Sequence, residues 1–343
     1  MLKTFDIFIM NIYKLLKLNR AIKNHRIKFF GLYLLHILNK RYLAVNLDPV
    51  LACNLRCKMC YFTDEEYVKK IKGQFSVEEL NRVAKVVFKR ALKLQIGCGT
   101  EPTLYKHLEG VVKLGKEYKV PYISLTTNAN LLDYEKIEKL LEAGLNEFTI
   151  SLHGVRKGSY EYFMGKASYE KFHEVFDYFE TLKKYYNFKV RINYTFNKDN
   201  FEELIDLFSH FNGESFDFLQ IRPIQKLGNT EYNNFDLSSL KGNYNSILLS
   251  LKKMCKDNNV ILMAPDSITK LRQKNTASYL YKYTYCYVSP QAFWKKDFIW
   301  KQETFNQYSK RVQWGKEIWN NIFVNKKQLE TTPNKLNYEV DLS

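Results

Sequence analysis

From residue 42 onward the chain alternates between two patterns. Short, mostly apolar runs predict strands: YLAVNL (42–47), KLQIG (93–97), VPYISLTT (120–127), EFTISL (147–152), KVRINYTF (189–196) and FDFLQIRPI (216–224). Between them, apolar residues recur at helical spacing over 76–92, 104–118, 133–144, 169–186 and 200–211. Punctuation supports these helices. Ser76 and Glu79 have the spacing of a capping box, Asp133 and Asn200 stand where N-caps are expected, and Gly144 stands where a helix should stop.

Strands alternating with helices imply a parallel α/β sheet, because each parallel pair needs a crossover. Six units fall short of a closed eight-stranded barrel, so the expected fold is a partial (β/α)6 TIM-like barrel. In such folds the chemistry gathers on loops at the C-terminal ends of the strands. Residues 42–264 are assigned to this barrel, with a helix over 238–258 and a short strand VILMA (260–264) completing its edge. Residues 1–41 form a basic amphipathic extension, expected as two helices broken near Gly31. Packing on its own domain is the favoured role, and peripheral contact with an anionic membrane is the minority one. Residues 265–343 form a C-terminal appendage, rich in aromatics over 279–300 and polar from 325. It is expected to be irregular, a lid or buttress at the barrel mouth.

Composition adds limits. The chain has 343 residues, 45% of them hydrophobic, which is ordinary for a globular protein. No apolar run is long enough to span a bilayer, and no signal-peptide pattern opens the chain. The formal charge of +17 fits an anionic partner, or a bias toward Lys, Asn, Ile, Tyr and Phe of the kind an AT-rich genome imposes; the second reading is favoured. Six sparse cysteines do not make a disulfide framework and suit a reducing cytoplasm.

Three of those cysteines, Cys53, Cys57 and Cys60, sit in ACNLRCKMCYF just after the first strand. A structural zinc usually takes four protein ligands, commonly from two separated pairs. Three thiols at C-x3-C-x2-C suit a [4Fe–4S] cluster with one iron left open for a small molecule, and Arg56 and Lys58 would offset its charge. The spacing resembles the signature of the radical S-adenosylmethionine (radical SAM) superfamily, with Met59 at its usually aromatic position and Tyr61 next to the last cysteine. GCGTEPTL is similar to that family's G-G-E-P segment, TTNAN to its T-N-G turn, and SLHG to the S-L-D-G of its peptide-modifying (SPASM-type) branch.

The resemblance covers about residues 42–225. It implies a cluster on the three cysteines and S-adenosylmethionine on the open iron. Gly99, Thr100 and Glu101 would hold the methionyl amine. Ser151 would meet the ribose or carboxylate, Tyr61 would lie beside the cofactor, and Asn128 would serve the turn, the favoured role, or contact cofactor or substrate. It also implies reductive cleavage to a 5′-deoxyadenosyl radical, an electron donor such as flavodoxin or ferredoxin, and hydrogen abstraction from a substrate. A peptide or small protein is the first expectation for that substrate, and a nucleotide-linked sugar, lipid or nucleic acid the second. His153 takes the place where Asp is common in the family. The auxiliary-cluster cysteines of the peptide-modifying branch are missing: only Cys255 and Cys286 lie beyond the barrel, and Cys98 is expected as a neighbour of the site. Arg191, Asn193, Gln220 and Arg222 interrupt the last two strands, and periodicity alone does not say which face they take. The rival reading is a non-catalytic basic iron–sulfur or zinc module that binds RNA or a membrane surface.

Overall fold

The computed structural model describes residues 21–225, 229–232, 237–265 and 279–329. Six parallel strands lie side by side in the order of the chain: β1 (Leu43–Leu47), β3 (Ala91–Ile96), β4 (Tyr122–Thr127), β5 (Glu147–Leu152), β7 (Lys189–Phe196) and β8 (Phe218–Pro223). β9 (Ile261–Met263) extends the β8 edge in parallel. On the other edge β10 (Tyr285–Ser289) pairs in parallel with β1, and β11 (Ala292–Phe293) folds back antiparallel on β10. β9 and β11 are not paired to each other, so the sheet is an open, partial barrel.

The sheet has two unlike faces. Leu43, Val45, Leu47, Leu94, Ile96, Ile123, Leu125, Phe148, Ile150, Ile192, Tyr194 and Ile221 are fully buried. They pack with the apolar stripes of α2 (Val77–Val87), α3 (Leu108–Glu117), α4 (Tyr134–Glu142) and α5 (Tyr169–Leu182) in one continuous core. The alternate positions are polar: Asn46 and Asp48, Lys93 and Gln95, Ser124 and Thr126, Glu147 to Ser151, Arg191 and Asn193, Gln220 and Arg222. A parallel strand covered on both faces by apolar side chains reads as a continuous apolar run. These do not, and their second face forms a polar barrel wall. The expected caps are present: Ser76 and Glu79 bond reciprocally, Asp133 accepts from the Lys136 N–H at 2.7 Å, and Gly144 takes φ +98°.

The structure corrects several expectations. The helix begun at 77 ends at Val87, and after one 3-10 turn the chain is already strand at Ala91, because Arg90 turns inward to the His36 carbonyl and the Asn39 side chain. The helix expected from 104 starts at Leu108, behind a 3-10 turn over Pro102–Leu104. The segment 200–211 is a 3-10 stretch and a single α turn, and Asn200 does not cap it. The Asn200 side chain instead accepts from Asn197 N–H and donates to the carbonyls of His153 and Thr195. At the N-terminus α1 (His25–Ile37) runs unbroken through Gly31, whose open side meets no other atom within 4 Å. The other expected N-terminal helix, in residues 1–20, lies outside the described residues, as does the tail from residue 330. The aromatic stretch is not irregular. Its buried Cys286 and Val288 alternate with Tyr285 and Tyr287, which is why it joins the sheet as β10. α6 (Tyr244–Asp257), α7 (Phe305–Arg311) and α8 (Trp314–Asn320) complete the described helices used below.

Candidate functional site

The cysteine loop leaves β1 at its C-terminal end and is held from several sides. β2 (Arg56–Cys57) pairs antiparallel with β6 (Met164–Gly165), and the Lys58 N–H bonds to the Phe163 carbonyl at 3.0 Å. The ribbon needs its glycine, since a Cβ at Gly165 would lie 2.8 Å from the Arg56 carbonyl oxygen. Within the loop the Cys60 N–H closes a turn on the Cys57 carbonyl, and the Leu55 N–H points at the Cys53 Sγ at 3.4 Å. Arg56 bonds to the Cys53 and Leu55 carbonyls, which keeps its charge within the loop. Lys58 does not serve as expected, because it pairs with Glu231 at 2.7 Å and sits over the Tyr162 ring. Met59 is buried with Phe163 and Ile224 at the rim, against the Asn197 side chain.

All three thiols have raised pKa values. Burial is the largest cause for each, and it pushes Cys53 up to about 12. Cys53 and Cys57 feel Cys60 and Glu101 as well, so thiols and carboxylate share one electrostatic neighbourhood. Each thiol keeps its proton at neutral pH unless a cation offsets the charge, so metal binding here would release protons. Among the described residues no three His, Cys, Asp or Glu side chains converge as ligands of a single ion would. A cubane asks for something else, since each thiolate binds its own iron. Three thiols give a cubane three of its four irons' ligands, whereas a structural zinc usually takes four protein ligands.

Glu101 ties three loops together. Its Oε1 accepts from the Thr103 N–H (3.1 Å), the Thr103 hydroxyl (2.5 Å) and the Thr127 hydroxyl (2.7 Å), and its Oε2 accepts from the Asn128 N–H (2.8 Å). Its own N–H reaches back to the Ala52 carbonyl in the cysteine loop. The carboxylate is 2% exposed, and burial raises its pKa in spite of those donors. It therefore caps the Pro102–Leu104 turn and also places a buried carboxyl group in the electrostatic neighbourhood of Cys53.

The rest of the G-T-E segment hangs on a residue that the sequence reading did not single out. Asp48, fully buried just past β1, accepts from the N–H groups of Cys98 (2.6 Å) and Gly99 (3.2 Å), the Thr100 hydroxyl (3.1 Å) and the Tyr287 hydroxyl (2.9 Å). Thr100 has no positive φ, so glycine is not required there. A Cβ at Gly99 would lie 2.5 Å from the Tyr61 hydroxyl, which bonds to the Gly99 carbonyl, so a larger residue there would have to displace that side chain. The Tyr61 ring is thus braced on this loop. A lone apolar-strand aspartate gives no signal in sequence, but its partner Thr100 sits inside the quoted motif.

Ala129 adopts φ +65°, a left-handed conformation that favours glycine, so TTNAN folds as a T-N-G turn would. Asn128 accepts from the Asn130 N–H, and its side-chain amide donates to Asn54 at 2.8 Å and lies 4.0 Å from the Cys53 Sγ. Ser151 lies on the polar wall in register with Asn193, half-buried, with no side-chain hydrogen bond to the described residues. The Asn193 Oδ1 is buried there without a partner. His153 donates from Nδ1 to the Leu152 carbonyl at 2.8 Å, and burial, aided by Arg222, pushes its pKa down to about 4. Arg191 bonds to Glu147 and Gln220 across the wall, and Arg222 reaches the Thr195 hydroxyl. The Cys98 Sγ meets the Asn46 side chain behind the loop, whereas Cys255 and Cys286 are buried in the core.

Residues 48–211 match the family model described as the radical SAM superfamily. These residues, just under half of the chain, carry a radical SAM domain. A GTP 3′,8-cyclase of Aquifex aeolicus is 29% identical over 191 residues, 55% of this chain and 58% of its own length. A probable GTP 3′,8-cyclase of Sulfolobus acidocaldarius is 26% identical over 197 residues, 57% of this chain and 61% of its own. The chain thus spans about three-fifths of the length of these relatives. Streptococcus suis SuiB bound to S-adenosylmethionine superposes with a TM-score of 0.59 at 16% identity, covering 85% of this chain and 71% of SuiB, which shows a shared fold. A [4Fe–4S] cluster and S-adenosylmethionine are the cofactors of radical SAM proteins, and the buried thiols, the carboxylate and the orphaned Asn193 acceptor fit such a pair.

Proposed function

We propose that this radical SAM protein binds one [4Fe–4S] cluster through Cys53, Cys57 and Cys60 and S-adenosylmethionine through Glu101. The observation that carries the reading is the buried Glu101 carboxylate, hydrogen-bonded to the β4 turn and set beside the thiol loop. Glu101 would meet the methionyl ammonium, and its Oε2, which has one protein donor, has accepting capacity left for it. Gly99 and Thr100, held by Asp48 and Tyr61, would complete the segment that binds the methionyl amine. Ser151 offers a hydroxyl to the ribose or carboxylate, Asn128 fixes the turn against Cys53, and Tyr61 braces the loop. Held by these residues, the cluster and S-adenosylmethionine would supply reductive carbon–sulfur cleavage to a 5′-deoxyadenosyl radical and hydrogen abstraction from a substrate, with an electron donor such as flavodoxin or ferredoxin in a reducing cytoplasm.

The proposed substrate is a peptide or small protein. SuiB, which shares this fold over most of the described chain, has been solved bound to its precursor peptide SuiA, with a TM-score of 0.55 to this chain. The SLHG segment at the end of β5 supports the same branch. The test is anaerobic reconstitution, reduction and addition of S-adenosylmethionine, with 5′-deoxyadenosine measured. Its absence would favour a non-catalytic iron–sulfur module. Stimulation of its formation by GTP, as the cyclase relatives would suggest, would overturn the peptide assignment.

A further inference from the structure

The outer face of α1 breaks the rule for surface helices. Its inner face packs Phe29 and Leu32 into the core, with Phe29 stacked on Tyr279 and edge-on to Tyr283. The opposite face should then be polar. Instead Ile27 (55% exposed), Phe30 (47%), Leu34 (37%), Ile37 (48%) and Leu38 (60%) form an apolar stripe with no exposed polar residue between Arg26 and Asn39. The stripe is about 20 Å long at the usual helical rise. Its flank is aromatic: Trp319, on α8, lies 4.8 Å from the Tyr33 ring, and Phe323 follows at 64% exposure.

Charge selects the occupant. Exposed Lys23 and Arg26 stand at one end of the stripe and exposed Lys40 at the other. Residues 1–41 carry nine Lys and Arg and a single acidic residue, Asp6. A second copy of the chain docked on this face would bring like charges together. An anionic surface would not. Among the described residues no helix is long and apolar enough to cross a membrane, so the geometry is that of a helix lying on one.

We propose that α1 docks this protein on an anionic lipid bilayer, with Ile27, Phe30, Leu34, Ile37 and Leu38 set into the headgroup–acyl boundary and the flanking basic residues paired with lipid phosphates. An aromatic pair at the rim suits the same interface. Binding by this means weakens as salt screens the charges, leaving the apolar contribution.

The full chain would be floated with vesicles of phosphatidylcholine alone and of phosphatidylcholine with about a third phosphatidylglycerol. Partitioning at least about tenfold stronger onto the anionic vesicles is expected. The doubly substituted Phe30→Glu, Leu34→Glu chain should lose most of that binding while keeping its far-UV spectrum, since both side chains are exposed. Ile27→Glu with Leu38→Glu is the second variant, at the ends of the stripe, should the first fail to fold. No binding by the unaltered chain would overturn the proposal. So would binding that survives both variants, which would place it elsewhere in the basic extension. A dimer in light scattering that the variants dissociate would show the stripe to be a contact between copies instead.

Discussion

The Tyr287 hydroxyl donates to the Asp48 carboxylate at 2.9 Å, across 239 residues of chain. The bond joins β10, which lies outside the family match, to the residue that holds the Cys98–Thr100 backbone. The C-terminal segment thereby takes part in shaping the proposed S-adenosylmethionine site.

Tyr287→Phe removes one donor from a carboxylate that has others, so stability should fall by only about 1 kcal/mol. Cluster loading should be normal and S-adenosylmethionine binding weaker by several-fold. Asp48→Asn is harsher, because an amide NH2 would face donors. A loss of about 1–3 kcal/mol is expected, together with poor cofactor binding. Denaturant titration and equilibrium binding on reconstituted protein separate the two effects. Unaltered binding in both variants would make Asp48 a fold residue only.

Cys57→Ala should abolish cluster assembly and leave the protein folded, because the loop is pinned by backbone bonds that do not involve the thiol. Replacing Cys98, Cys255 and Cys286 with Ala should leave the cluster absorbance intact. Iron and sulfide in the reconstituted chain should each approach about four, as one [4Fe–4S] cluster requires. Values near eight would return those three cysteines to consideration as ligands.

The barrel was legible because each strand and helix obeys its own period. The six strands fall where apolar runs were found, and the capping box at Ser76 and the stop at Gly144 are realised. The site was legible where residue types are chemically unusual, as with three close thiols. It was illegible where a role depends on contacts distant in sequence. Asp48 reads as a strand-end residue until β10 and the Cys98–Thr100 loop close on it. Lys58 looked like a partner for the cluster, but Glu231 and Tyr162 draw it away. β10 was missed because tyrosines fill its polar-wall positions, which made an alternating strand look like an aromatic cluster.

Two buried imidazoles set an acid limit on stability. His36 and His153 are both pushed down to about 4 from an ordinary 6.5, mainly by burial, with Arg90 and Arg222 adding to the effect. Between those values the unfolded chain binds protons that the folded chain does not. Stability therefore declines as pH falls from about 6.5 to about 4. Each tenfold change in proton affinity is worth about 1.4 kcal/mol, and partial exposure reduces this to on the order of 1–2 kcal/mol per histidine. Urea midpoints measured through this window should fall, and His36→Gln and His153→Gln should each flatten the slope. A slope unchanged in both variants would assign the acid sensitivity to other groups.

Glu101 separates a clamp from a cap. Its Oε1 accepts three donors and anchors the Pro102–Leu104 turn, a job that needs an oxygen but no charge. Its Oε2 has the Asn128 N–H and, in the proposed complex, the methionyl ammonium. Glu101→Gln keeps the first function through the amide oxygen. It turns an NH2 group toward Asn128 and removes the negative charge. A buried N–H left unpaired costs about 1–3 kcal/mol, so some loss of stability is expected in either case. The affinity decides. A charge-assisted contact in a desolvated cleft is worth about 1.5–3 kcal/mol, which weakens S-adenosylmethionine binding roughly tenfold or more. The cluster spectrum should be unchanged, because no thiol is altered. If titration of the reconstituted variant returns the affinity of the unaltered protein while its denaturation midpoint has dropped, Glu101 is a cap alone, and the methionyl amine must be held by other groups of the G-T-E segment.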